Sequence, residues 1–160
     1  MINKAVDILD YIMRPVDRIF EYCLAFKKRK DGGSASPVTG YWLIEIKRLF
    51  SIVILRFDGG SRENYHSHAF NAYTWWVKGS IEEHRIIDGK KVITTWTPSL
   101  KPKYTPKENC HKVFALNGKP AWAFCIRGPW SDTWTEWNEE TRELITLTHG
   151  RKEIKRERIS

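Results

Sequence analysis

Three histidines carry the most recognisable chemistry in this sequence. His66 and His68 stand two residues apart in ENYHSHAF, directly after a glycine-rich turn. In extended chain, side chains at i and i+2 share one face. The two imidazoles can therefore grip one metal ion from adjacent positions. His111 opens a later extended run, CHKVFAL (110–116), and is the candidate third ligand. Imidazole accepts several divalent ions, and metal choice follows geometry and availability more than ligand identity. Iron, zinc, manganese and nickel all remain candidates on the residues alone.

Other residues could serve a substrate. Arg127 closes the run PAWAFCIR (120–127), and its planar fork suits a carboxylate or phosphate. A surface salt bridge is the competing reading. Tyr73 and Trp75 share one face of AYTWWVKG (72–79) and Trp76 takes the other, so Trp75 and Trp76 cannot both line a pocket. Tyr73 and Trp75 are the pocket candidates. His84, in EEHR, is either a proton relay or substrate contact, or an ordinary half-buried strand residue.

These residues need strands to position them. From Gly40 onward the chain is rich in β-branched and aromatic residues in short runs: 41–49, 51–57, 72–79, 80–87, 91–97, 110–116, 120–127, 133–137 and 143–149. Asp88-Gly89 and Asn117-Gly118 read as hairpin turns. About nine short strands with regular turn signals point to an all-β barrel or sandwich. Upstream, Val6, Leu9, Met13, Val16, Ile19, Phe20 and Cys23 recur at spacings of three and four, which predicts helix over 3–26. Pro15 should divide it into two short helices. Residues 27–40 read as a flexible loop and 150–160 as a basic tail. The whole chain, 1–160, reads as one domain with its barrel at 41–149.

Composition narrows the classes. At 41% hydrophobic residues the chain can build a core, which excludes disorder. Its longest apolar runs, such as 50–55, are too short to span a bilayer. The N-terminus has acidic residues where a signal peptide would be apolar, so a cytoplasmic protein is expected. Three cysteines without CxxC spacing form neither a disulfide framework nor a zinc cluster. The net charge of +8 is concentrated in Lys27–Lys30 and in the last ten residues. Such runs are more often solvated flanks than nucleic-acid sites. Eight tryptophans should mostly be core or pocket wall.

The spacing around the histidines resembles the first motif of the cupin superfamily. Gly60, then SRENY, then His66-Ser67-His68, then AFN, position 72, six residues and Gly79 fit its intervals. Ala72 occupies the place of the usual glutamate. Pro106 stands five residues before His111, as in the second motif, with Glu108 replacing its glycine and Ala115 its asparagine. The resemblance covers residues 41–137. It implies a double-stranded β-helix, the cupin or jelly-roll barrel, with one or two short N-terminal helices outside it.

A three-histidine site without the carboxylate is similar to that of thiol dioxygenases, which use ferrous iron. The resemblance thus favours Fe(II), with zinc, manganese or nickel as alternatives. A neutral three-imidazole set leaves the ion its full charge and open positions for an anionic substrate and dioxygen. Tyr73 would lie near the position left vacant by Ala72. Glu63 is a candidate stand-in ligand, but its parity with His66 is wrong for a regular strand. The end of the motif region, RGPWSDTWTEW (127–137), resembles small cupin-like proteins of bacterial and phage genomes without a settled activity.

Three functions follow as expectations. The first is a metal-dependent enzyme of the Fe(II) dioxygenase kind, acting on a small polar or anionic molecule. The second is a binding cupin without turnover that sequesters an anionic or nucleotide ligand, in the manner of a viral protein. The third, nucleic-acid binding by the basic flanks, ranks last because no nucleic-acid-reading motif is present. A homodimer is the other expected partner, since cupins often pair; no membrane contact is expected.

Overall fold

The computed structural model describes residues 23–59 and 64–159. They form thirteen strands: β1 (Cys23–Lys30), β2 (Val38–Ile46), β3 (Phe50–Phe57), β4 (Tyr65–His66), β5 (Ala72–Lys78), β6 (Ile81–Ile87), β7 (Lys90–Trp96), β8 (Lys103–Thr105), β9 (His111–Ala115), β10 (Ala121–Arg127), β11 (Thr133–Asn138), β12 (Glu143–Thr148) and β13 (Lys152–Arg158). Six strands make one sheet in the order β1-β2-β3-β10-β5-β8. Seven make the other, β13-β12-β11-β4-β9-β6-β7. Every pairing is antiparallel. Among the described residues, no helix is long and apolar enough to cross a membrane.

The core lies between the sheets and follows from strict alternation. In β10, Ala121, Ala123, Cys125 and Arg127 point inward, as do Ser51, Val53 and Leu55 in β3. The register sets Val53 against Cys125 and Leu55 against Ala123. The small alanines leave room for Trp42 and Trp76, which are 1% and 6% exposed. From the opposite sheet, Ile81 closes the cluster, and Val113, Ala115 and Trp134 pack against it.

Turn chemistry decides how the chain moves between sheets. Asp88 and Gly89 both have positive φ, +50° and +72°, and close the two-residue hairpin of β6 and β7. Asn117 and Gly118 have the same left-handed geometry. The hairpin expected there does not form. Strand β9 belongs to the seven-stranded sheet and β10 to the six-stranded one, so this turn is a corner. Gly79 makes a matching corner between β5 and β6. Its φ is +73°, and a Cβ there would lie 2.7 Å from the Pro120 carbonyl oxygen.

The ends differ from the sequence expectation. The helices expected over 3–26 lie largely outside the described residues, but Cys23–Lys30 is a strand. Its backbone pairs with β2 from Cys23↔Ile46 to Lys30↔Thr39, and that ladder overrides the helical spacing. The lysine run thus sits on an edge strand, where charge discourages further pairing. Residues 38–40 likewise join β2, which shortens the expected loop. The basic tail also pairs: β13 is the edge of the larger sheet, and Arg156 bridges Glu143 and Glu153.

Candidate metal centre

Backbone pairing brings the three histidines together. His66 in β4 is directly opposite His111, the first residue of β9. His66 also faces Glu136 on β11, which fixes β4 from its other side. The chain then leaves the ladder but stays tied. The Ser67 amide donates to the Thr135 carbonyl, and the His68 amide donates to the Lys107 carbonyl, both at 2.9 Å. Ser67 Oγ accepts from the Thr135 amide at 2.8 Å. These bonds turn the His68 ring back toward the other two.

One nitrogen from each imidazole lies within 4.8 Å of the others. His68 Nε2 and His111 Nε2 are 2.9 Å apart. Two nitrogens each about 2.0–2.1 Å from one ion, at right angles, come about 3 Å apart, so the pair fits neighbouring positions on a metal. His66 and His111 are 7% and 6% exposed, and His68 is half-buried. The donor set is three imidazole nitrogens, suited to a divalent transition ion. These three histidines could hold a metal.

Glu83 is the important residue that the motif reading missed. It is fully buried, and its carboxylate accepts from His111 Nδ1 and Lys103 Nζ at 2.5 Å, Trp96 Nε1 at 2.9 Å and Asn109 Nδ2 at 3.2 Å. Burial alone would push its pKa up. The His111 hydrogen bond and the Lys103 charge outweigh that and hold it well below the usual carboxylate range. An ionised carboxylate only accepts, so His111 carries a proton on Nδ1, and Nε2 is the nitrogen it turns toward His68 and can offer to a metal. The signal was parity: in SIEEHRII, Glu83 shares a face with buried Ile81.

The histidines open on a cavity of about 80 Å³. Its apolar wall includes Leu55, Phe70, Trp76 and Val113; Thr74, Thr105, Lys103 and Cys125 supply polar groups. Arg127 also lines it and is 3% exposed. Its Nη2 donates to Asp31 at 2.6 Å, and its guanidinium lies over Phe70 and Trp42. Burial alone would lower the Arg127 pKa, but Asp31 outweighs that and raises it, so the group stays charged. Arg127 is therefore one half of a buried ion pair in the cavity wall, not a surface salt bridge.

The other sequence candidates fall elsewhere. Tyr73 and Trp75 face outward, against Tyr104 and Phe124. Ala72, Thr74 and Trp76 face the cavity instead. The reason is parity: buried Ala72 pairs across β10 with Arg127, which fixes even positions inward. His84 also faces out, bonded to Glu82 and packed on Phe114, because its neighbour Glu83 takes the interior. Glu63 lies outside the described residues.

The fold has counterparts among solved structures. A cupin-superfamily sugar phosphate isomerase from Silicibacter pomeroyi aligns over 83% of this chain and 88% of its own, at 12% identity and TM-score 0.55. The fold is that of the cupins. A variant of Bacillus subtilis oxalate decarboxylase aligns over 68% of this chain and only 29% of its own length, at 16% identity and TM-score 0.50. At such identities the likeness to these cupins is one of fold. No family model matches the chain, and no curated protein sequence matches it.

Proposed function

We propose that this chain is a metal-dependent cupin enzyme, an Fe(II) oxygenase acting on a small anionic molecule held at His66, His68 and His111. The observation that carries this reading is the convergence of three imidazole nitrogens at the wall of a largely apolar cavity. A ferrous ion there would supply direct coordination of substrate and dioxygen activation. The protein's own groups do the rest. Glu83 fixes the His111 ring and its tautomer. Phe70 and Trp76 keep bulk water out. Thr74 and Thr105 offer hydroxyls to the polar atoms of a bound molecule.

The volume limits what enters. A cavity of this size favours a small substrate over a nucleotide inside the barrel.

The test is metal content of protein purified without a His-tag, followed by oxygen uptake. Near one equivalent of iron, lost in His66→Ala and in His111→Ala, is the expected result. One equivalent of zinc would redirect the reading to lytic or isomerising chemistry. Failure to take up metal after anaerobic reconstitution with ferrous iron would overturn it.

A further inference from the structure

Immediately outside the cavity lies a second, larger space. This cleft has a volume of about 320 Å³ and shares Asp31, His68 and Phe70 with the inner cavity. Arg29, Lys30, Lys47 and Arg151 line it, together with Trp130 and Trp134. Asp31, the acid among these lining residues, is committed to Arg127.

The cations are positioned from behind. Buried Glu45 accepts two bonds of 2.7 Å from Arg29 Nη2, and Arg29 also lies over Trp42. Glu136, 7% exposed, accepts through Oε2 from Arg151 Nη2 at 2.8 Å, and its Oε1 lies 2.7 Å from the same nitrogen in an ion pair. Each of these bonds uses Nη2, while a guanidinium also carries donors on Nε and Nη1. Arg151 has a φ of +62°, an uncommon conformation for a residue with a side chain. Its side chain packs where Gly33 has no Cβ: a Cβ there would lie 3.2 Å from Arg151 Cδ. Backbone strain of this kind concentrates at functional sites. Lys47 Nζ lies 5.1 Å from the Trp130 ring centre, and Trp130 and Trp134 meet edge to face. The Trp130 indole N–H is buried and meets no acceptor among the described residues.

We propose that this cleft binds the phosphate monoester end of the substrate, with a flat group of that molecule against Trp130 or Trp134. The smaller end then reaches the three histidines past His68 and Phe70. A phosphate monoester carries about −1.5 to −2 charge at pH 7 and three acceptor oxygens, which matches a cluster of cations better than one carboxylate does. The assignment of the inner end rests on the metal-centre reading above; the anion site does not.

The test is calorimetric titration of the full-length protein, as purified, with phenyl phosphate, inorganic phosphate and benzoate. His111→Ala serves as the variant that separates the two sites. Wild type and His111→Ala should bind phenyl phosphate alike, and more tightly than benzoate or inorganic phosphate. Arg151→Gln should weaken phenyl phosphate by about 10- to 100-fold, the loss of one charge-assisted bond. Because Arg151 also holds Glu136, Lys47→Met is the companion variant, with the same direction expected and the stem over Trp130 kept. Trp134→Ala should remove part of the preference for phenyl over inorganic phosphate. The proposal is overturned if wild type binds no phenyl phosphate at millimolar concentration, or if Arg151→Gln and Lys47→Met both bind like wild type. Equal binding of benzoate would overturn the phosphate assignment. Loss of binding in His111→Ala would place the anion on the metal instead. Metal loss in that variant is read separately, so either site can fail without the other.

Discussion

Replacing Glu83 by glutamine tests the reasoning about the buried interior most sharply. The side chain keeps its shape and loses its charge. At present Oε1 accepts from His111, Lys103 and Asn109, while Oε2 accepts from Trp96. The amide best keeps its carbonyl on the three donors. Its NH₂ then faces the Trp96 indole N–H, donor against donor, which costs about 1–3 kcal/mol. Lys103, 10% exposed, also loses its counter-charge. Removing one partner of a buried ion pair typically costs about 3–5 kcal/mol, and we expect a total in that range because Lys103 can release its proton. With a urea dependence of about 2 kcal/mol per M, a 4 kcal/mol loss lowers the unfolding midpoint by about 2 M. Tryptophan fluorescence follows the transition. Adding Lys103→Met should recover most of the loss, since a neutral pair replaces a broken ionic one. The sign with pH follows from the depressed Glu83 pKa. Its stabilisation is complete above the ordinary value of 4.5 and fades as pH falls toward the folded value. The gap between wild type and Glu83→Gln should therefore be constant from pH 7 to 5 and narrow below 4.5. An unchanged midpoint at pH 7 would refute the account. A second readout is metal affinity by chelator competition, expected to fall about 10- to 100-fold when the carboxylate behind His111 is lost.

Four other outcomes follow. His111→Ala should abolish metal binding by elemental analysis while leaving far-ultraviolet circular dichroism unchanged. Asp31→Asn leaves Arg127 charged and buried, and should cost about 3–5 kcal/mol by urea unfolding; the double variant with Arg127→Met should regain most of it. Gly79→Ala puts a Cβ 2.7 Å from a backbone oxygen at positive φ, and should lose about 3 kcal/mol or more by the same assay. Trp76→Ala empties part of the cavity wall and should cost about 3–5 kcal/mol, a melting-temperature drop of about 2–4 °C per kcal/mol in calorimetry.

The strands were legible because their evidence is local. Alternation in AWAFCIR and β-branched content in SIVILRF are visible within a few residues. The edges were not. Cys23–Lys30 carries a helical spacing and a lysine run, and only pairing with β2 makes it a strand. The same holds for β13, whose residues are exposed and whose pattern says little; it exists through its ladder to β12. The Asn117-Gly118 turn was correctly recognised as a turn and wrongly as a hairpin, because turn residues fix local geometry and not which sheet receives the next strand.

The site divides along the same line. His66, His68 and His111 were found by type and spacing, and the β4–β9 pairing supplies the contact that spacing alone could not. Which neighbours join them depends on one bit of information per strand, its inward parity. In β5 that bit was read from Tyr73 and Trp75, the larger and more suggestive residues, when small Ala72 sets it. In β6 His84 was weighed as a proton relay or substrate contact against an ordinary half-buried strand residue, and it is half-buried; Glu83, which takes the interior, went unremarked. Both oversights have one cause. Chemistry-bearing residue types attract attention wherever they fall, whereas the core selects a face by packing and admits a charge only when partners are already there. Glu83 meets that condition: Trp96, Lys103, Asn109 and His111, all between residues 96 and 111, converge on it. A lone acid alternating with an apolar residue in a strand is thus a sign to look for basic and imidazole partners elsewhere in the chain, and here that search leads straight back to the third histidine.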